Sequence, residues 1–189
     1  YTMLIAGSVR WVKETARDRC MKLHPASPAL DYALYLKGWV NFNDNLGMFS
    51  WISRQDLSER DQKAAKDSFE SFNELVTRFP ESRYAQDSRQ RMTYIVNSLA
   101  QYEVHVARYY YERGAYVAAI SRAQVALTDY KDVPALEEAL FILIRSYDAL
   151  GMTQLRDDAR RVMSASYPQS TYLRDGKFRE KSDPWWKFW

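Results

Sequence analysis

Residues 107–131, ARYYYERGAYVAAISRAQVALTDYK, carry the pattern that most constrains the fold of this chain. Gly114 interrupts the pattern, and glycine tolerates the positive φ angle at which many helices end. Tyrosines precede this glycine, and small residues follow it at helical spacing, including Ala119 and Ala126. Small side chains let two helices approach closely, while flat rings fill the groove between them. The segment therefore predicts an antiparallel helical hairpin that turns at Gly114.

A weaker copy of this hairpin follows, because Gly151 lies 37 residues after Gly114. That distance is close to the period of tetratricopeptide (TPR) repeats, about 34 residues. In the second copy, Arg156 stands where a small alanine is expected. Pro80 and Pro168 each follow a helical pattern, as expected of a residue that cannot continue the helical hydrogen bonds. We therefore predict an all-α fold, a TPR α-solenoid of antiparallel helical hairpins.

The organisation of the rest of the chain follows from its turns and breaks. Residues 82–113 contain neither glycine nor proline, and apolar residues recur there at helical spacing. This pattern predicts one long helix that links two hairpins. The predicted segments are a partial repeat (1–25), a TPR-like hairpin (26–80) with an insertion (44–60), the long helix and its TPR hairpin (81–131), a last TPR hairpin (132–168) and an aromatic C-terminal tail (169–189).

Two segments carry aromatic residues outside the hairpin pattern. The insertion contains Phe49 and Trp51, which either fold back onto their own hairpin or form a knob that docks on a partner. Half of the six tryptophans lie in the last five residues, at Trp185, Trp186 and Trp189. These rings either cap the last hairpin, anchor in a partner protein or rest at a membrane interface.

Composition argues against several classes of function. The net charge of +3 is spread along the chain, whereas a nucleic-acid binder more often shows a concentrated basic face. The chain has no apolar run of the length that crosses a membrane. Its two histidines lack metal-ligand spacing, and no nucleophile or phosphate-loop motif is present, so we expect neither an enzyme nor a cofactor or metal. The acidic pairs 137–138 and 157–158 are expected at helix starts, where they complement the helix dipole.

Longer runs of the sequence resemble one known family. The runs are KLHPASPALDYALYLKG, DSFESFNELVTRFPESRYAQDSRQRM and LAQYEVHVARYYYERGAYVAAISRAQ, within residues 21–168. They are similar to the BamD family (ComL type) of TPR lipoproteins, which belong to the outer-membrane β-barrel assembly (BAM) machine. The resemblance implies a non-catalytic scaffold at the periplasmic face of the outer membrane. Without it, the same repeats would indicate a generic TPR adaptor that binds peptides.

The resemblance also implies partners and a docking site. In this family the C-terminal repeats grip the membrane-proximal POTRA domain of the barrel subunit BamA. Other BAM lipoproteins and unfolded outer-membrane proteins are further expected partners. Arg122, in AISRAQ, is similar to the family's arginine that pairs with an acidic residue of the POTRA domain. Tyr110, Glu112 and Arg113, in YYYERG, are expected beside it as supporting groups. By composition alone, Arg122 would be a solvated helix residue.

Some features of the family are not matched in these residues. Family members carry a signal peptide and a lipidated cysteine that follows small apolar residues, whereas Cys20 follows Arg-Asp-Arg and cannot be that site. We therefore expect membrane attachment only through a lipid anchor that is missing from this chain. Residues 1–20 match the family poorly, and the chain is expected to begin inside the second repeat. Cys20 is the only cysteine, which excludes an intrachain disulfide.

Overall fold

The computed structural model describes residues 29–46 and 62–178, without the side chains of residues 43–46. This part of the chain forms seven helices: α1 (Leu30–Leu46), α2 (Gln62–Arg78), α3 (Ala85–Glu112), α4 (Tyr116–Asp129), α5 (Ala135–Ala149), α6 (Thr153–Ser166) and α7 (Thr171–Asp175). The predicted all-α fold with TPR-like hairpins and one long helix is confirmed. Several predicted site residues lie outside the described residues: Phe49, Trp51, Trp185, Trp186 and Trp189.

The turns after α3 and α5 have the same geometry. Gly114 and Gly151 adopt positive φ angles of 75° and 71°. At the first turn, the Gly114 N–H donates to the carbonyl of Tyr111 and the Ala115 N–H to the carbonyl of Tyr110, both at 2.9 Å. This Schellman arrangement satisfies carbonyls that the end of a helix leaves without partners. Glycine at these two positions therefore ends one helix and reverses the chain.

The described residues divide into two compact units, and the boundary between the units lies between Leu99 and Ala100 within α3. In the first unit, α1 packs along α2, and the two helices lie close together at Gly38. A Cβ atom at Gly38 would lie 2.5 Å from the ring of Phe72, a fully buried side chain. At the same place, the Ser68 hydroxyl donates to the Gly38 carbonyl oxygen at 2.8 Å. A glycine is required there because any side chain would push the helices apart.

A network of aromatic and charged side chains joins α1 to the start of α3 in the first unit. The Tyr35 hydroxyl donates to Asp87 Oδ2 at 2.8 Å, and Arg91 Nε donates to the same oxygen at 2.6 Å. The ring of Tyr35 stacks on that of Tyr84, with centroids 4.6 Å apart. Burial alone would raise the pKa of Asp87, but the hydrogen bonds from Arg91 and Tyr35 outweigh it and lower the pKa. Asp87 is therefore held as a carboxylate between two donors.

In the second unit, α5 is the central helix and packs against α4, α6 and α7. Its run from Ala139 to Ile144 is buried, and Met163 of α6 and Tyr172 of α7 join the same cluster. The acidic pair 137–138 lies in the first turn of α5, as predicted. The prediction is wrong for the pair 157–158, because α6 begins at Thr153 and has no acidic residue in its first turn.

Replacing Gly38 by alanine should destabilise the protein by about 1–3 kcal/mol, because the new methyl group overpacks the contact with Phe72. Gly114→Ala should cost about 1 kcal/mol from backbone strain alone, since nothing lies within 4 Å of a Cβ atom at Gly114. Urea unfolding of both variants measures the two costs. In a Phe72→Leu background, the cost of Gly38→Ala should fall while that of Gly114→Ala stays the same. An unchanged cost at Gly38 would refute the close approach.

Candidate protein-docking site

Arg122 lies in the second turn of α4 and pairs with Glu103 of α3. Arg122 Nη1 is 3.1 Å from Glu103 Oε2. The two side chains differ in exposure, since Glu103 is 7% exposed and Arg122 is 44% exposed. A buried carboxylate needs a compensating charge, and removing its partner is strongly destabilising. Arg122 therefore supplies that charge while much of its guanidinium group stays at the surface.

The long helix α3 places Tyr110 on the same face as Glu103. The two residues are seven positions apart, which is two helical turns, or roughly 10 Å along the axis. Tyr110 is half-buried, and its ring centroid lies 5.8 Å from that of Tyr109 in an edge-on contact. The Glu103–Arg122 pair therefore lies about two turns from Tyr110 along the hairpin, on the same face of α3.

The other two predicted site residues lie at the turn. Arg113 follows the end of α3, and its guanidinium carbon is 4.7 Å from the ring centroid of Tyr109. Such a cation–π contact contributes about 0.5–1 kcal/mol at an exposed site. Glu112 is exposed and two positions after Tyr110, which puts it roughly on the opposite side of the helix. The turn thus offers an exposed aromatic ring with a cation above it, and Glu112 faces away from Tyr110.

Sequence reasoning missed Glu103, although the sequence contains a signal for it. Glu103 falls four residues after Leu99 and four before Ala107, and both of these positions are buried. A single acidic residue within an apolar helical stripe indicates a buried carboxylate, which must have a partner. The identity of that partner depends on how α4 lies against α3, and only the structure shows this.

A second feature that sequence reasoning missed is the C-terminal strap, residues 171–178, which packs onto the second unit. The Phe178 ring lies 5.2 Å from that of Tyr111 and 5.0 Å from that of Phe141, measured between centroids. The Arg108 guanidinium carbon is 5.1 Å from the same ring. Phe178 therefore packs against α3 and α5, and the first residues of the predicted aromatic tail belong to the folded unit.

The strap is also held by hydrogen bonds to a carboxylate of α5. The Tyr172 hydroxyl donates to Glu138 Oε2 at 3.0 Å, and Arg108 Nη2 lies 2.5 Å from Glu138 Oε1. Glu138 and Arg108 are each about one-fifth exposed, at 20% and 19%. One carboxylate thus joins α3, α5 and α7, because each of its oxygens accepts from a different helix.

The described residues offer charge and aromatic surface rather than a metal site. Among them, no group of three or more histidine, cysteine, aspartate or glutamate side chains could hold a metal ion. None of the described helices is long and apolar enough to cross a membrane.

Comparisons with known proteins assign this architecture to a family. The model of the outer membrane lipoprotein family YfiO matches residues 12–163 of the chain. The outer membrane protein assembly factor BamD of Neisseria meningitidis (serogroup A) is 43% identical over 174 residues, which cover 92% of this chain and 65% of that protein. The chain belongs to the BamD (YfiO) family. Residues Glu103 and Arg122 both lie inside the region that the family model matches, whereas the strap lies beyond it.

More distant BamD proteins show the same relationship. BamD of Xylella fastidiosa (strain Temecula1) is 35% identical over 161 residues, covering 85% of this chain and 55% of that protein. BamD of Vibrio cholerae is 31% identical over 146 residues, covering 77% of this chain and 61% of that protein. The chain therefore spans between 55% and 65% of the length of these BamD relatives.

Replacing Phe178 by alanine should lower the free energy of unfolding by about 1–2 kcal/mol, because a half-buried phenylalanine loses part of its burial energy. Lys177→Ala is the matched control, since the neighbouring Lys177 is exposed and its side chain should contribute little. Thermal or urea unfolding of the full chain checks both. If both variants have the same free energy of unfolding as the unmodified chain, the strap does not stabilise the second unit.

Proposed function

We propose that this chain is a non-catalytic scaffold subunit of the outer-membrane β-barrel assembly complex. It binds the membrane-proximal POTRA domain of BamA through the hairpin of α3 and α4, and so helps the insertion of outer-membrane proteins. In the proposal, the full-length protein is lipid-anchored at the periplasmic face of the outer membrane. Other lipoproteins of the complex and unfolded outer-membrane proteins are its further partners.

The observation that carries the proposal is the half-exposed Arg122 on a hairpin that belongs to the family-matched region. The relatives are named outer membrane protein assembly factors, and stacked helical repeats commonly bind other proteins. Arginine suits such a contact because its planar fork of donors matches the geometry of a carboxylate. The proposed contact is therefore an ion pair between Arg122 and an acidic residue of the POTRA domain.

The energetic contribution of this contact depends on its exclusion from water. An exposed ion pair contributes about 0–1 kcal/mol, whereas truncating one partner of a buried interfacial pair costs about 2–5 kcal/mol. Exposed Tyr109, stacked under Arg113 at the hairpin turn, is a second candidate anchor, since tyrosine and arginine are enriched among residues that dominate binding energy. The proposed interface extends from Arg122 to this turn.

A second candidate function, a generic adaptor for extended peptides, is favoured by the surface of the first unit. Tyr32, Trp39 and Tyr94 are 45%, 41% and 47% exposed. Tyr32 and Trp39 lie seven residues apart on α1, and therefore on one face of that helix. Exposed rings of this kind suit the apolar side chains of a peptide. Micromolar binding of short C-terminal peptides, without binding of the POTRA domain, would favour the adaptor.

Arg122→Gln should weaken binding of the purified POTRA domain of BamA about tenfold or more. Truncating one partner of a buried interfacial ion pair costs about 2–5 kcal/mol, and about 1.4 kcal/mol corresponds to a factor of ten. Isothermal titration calorimetry of the chain against this domain measures the dissociation constant. Arg161→Gln is the control, because Arg161 of α6 is 79% exposed and pairs only at the surface with Asp158. A dissociation constant for Arg122→Gln equal to that of the control would exclude the proposed interface.

Glutamine is a better choice than glutamate at position 122. Arg122→Glu would place a second carboxylate beside the buried Glu103, and the hairpin itself would be destabilised by repulsion. Loss of binding by that variant would then not separate a broken interface from a disturbed fold. Glutamine adds no repulsion and can still donate an N–H to the Glu103 carboxylate, although that carboxylate loses its compensating charge. Urea unfolding of the same samples therefore reports how much of the hairpin's stability Arg122→Gln retains.

A further inference from the structure

We propose that Glu103 is a positioning residue for Arg122, and that its buried carboxylate aims the guanidinium group at a single carboxylate of the partner. This inference rests on the proposed docking function of Arg122. It adds a second residue to the site and defines the chemical class of group that the site accepts.

The geometry of the pair supports a positioning role. Glu103 lies on α3, the long helix, and its side chain is 7% exposed, so packing limits the positions that its carboxylate can take. Arg122 reaches it from α4 through Nη1 at 3.1 Å. A guanidinium group carries five N–H donors in one plane, and contact through Nη1 engages one edge. With 44% of the side chain exposed, the group keeps donor capacity toward the solvent.

Holding the arginine in place favours binding for an entropic reason. A free arginine side chain samples many rotamers and loses that entropy when it is ordered. Ordering a flexible side chain at an interface therefore lowers the affinity. Because Glu103 already orders Arg122 in the free protein, part of that cost falls on folding rather than on binding.

The charge around the pair determines what the site accepts. Glu103 and Arg122 together are neutral, and the charges of Asp129 and Lys131 at the end of α4 offset each other. Burial raises the pKa of the nearby Tyr130 hydroxyl, and the negative charges of Glu103 and Asp129 raise it further. A phosphate group would bring between about 1.5 and 2 negative charges into this surrounding. A single carboxylate brings one negative charge, and its two oxygens match the edge of the guanidinium group that Glu103 leaves open.

The experiment is a double-mutant cycle with Glu103→Gln, Arg122→Gln and the two combined, titrated against the purified POTRA domain. Glu103→Gln keeps the shape of the side chain and the charge of Arg122, yet it should weaken binding about threefold to tenfold. In the Arg122→Gln background, the same change should alter the dissociation constant less than about twofold, because the group that it positions is gone.

Glu138→Gln is the matched control for stability. Glu138 also belongs to an ion pair in the second unit, with Arg108, and it lies outside the proposed interface. This variant should lower the midpoint of urea unfolding and leave the dissociation constant unchanged. A loss of binding by Glu138→Gln equal to that by Glu103→Gln would overturn the positioning role, because general destabilisation would explain both.

A spectroscopic measurement tests the positioning directly in the free protein. The side-chain ¹⁵N resonances of Arg122, assigned by their loss in Arg122→Gln, should show slow rotation of the guanidinium group in the unmodified chain. That rotation should become fast in Glu103→Gln. If Glu103→Gln does not fold, Glu103→Asp serves instead, since it keeps the charge and withdraws the carboxylate by one methylene group. Identical rotation in the variant and the unmodified chain would overturn the proposal.

The outcomes separate this inference from the proposed function. Unchanged or tighter binding by Glu103→Gln, with weakened binding by Arg122→Gln, overturns the positioning role and leaves the docking site intact. If the dissociation constants of both variants equal that of the unmodified chain, the docking site itself is overturned, and the positioning role with it.

Discussion

The close approach of paired helices at positions with little or no side chain is the constraint on which the rest of the structure depends. In the first unit, this approach occurs at Gly38, where the ring of Phe72 occupies the space of a Cβ atom. In the second unit, α4 presents three fully buried alanines, Ala119, Ala123 and Ala126. Helices this close leave no room for long side chains between them, so charged residues lie at the margins of the contact. There they reach from one helix to another.

Ion pairs between helices follow from this arrangement. In the second unit, Arg122 reaches Glu103 from α4 to α3, and Glu138 joins α3, α5 and the strap. The last hairpin uses Arg156, which donates to Asp148 across the turn at 2.9 Å and to Asp157 at 2.8 Å. These pairs differ in burial, and an exposed pair contributes little to stability. The buried carboxylate of Glu103 distinguishes its pair from the pairs at the surface.

The predictability of this fold differs from element to element. The turns at Gly114 and Gly151 could be predicted because a helix that ends in the left-handed conformation needs glycine, and this requirement is local. The long helix could be predicted from the absence of breakers in residues 82–113. At position 156 the repeat pattern expects an alanine, but the sequence has an arginine. The ion pairs of Arg156 with Asp148 and Asp157 occupy that end of the hairpin.

The rest could not be predicted because it depends on contacts between distant residues. Glu103 and Arg122 are 19 residues apart, and the Phe178 and Arg108 of the strap contact are farther apart still. Helical periodicity places each of these residues on a face of its own helix, but it does not say which residue of a neighbouring helix it meets. The resemblance indicated Arg122 as a site residue, and the structure shows that this arginine already has a buried partner.

That partner changes the physical character of the proposed docking site. An isolated surface arginine attracts acidic partners over a distance of about 8–10 Å at physiological salt, and attraction of this kind mainly raises the association rate. Because Glu103 neutralises Arg122, the long-range field of the pair is weak. In the proposed interface, recognition would then depend on short-range geometry, in which the open edge of the guanidinium group meets a carboxylate at hydrogen-bonding distance. Such a contact acts on the dissociation rate more than on the association rate, as the proposed scaffold role within an assembly would require.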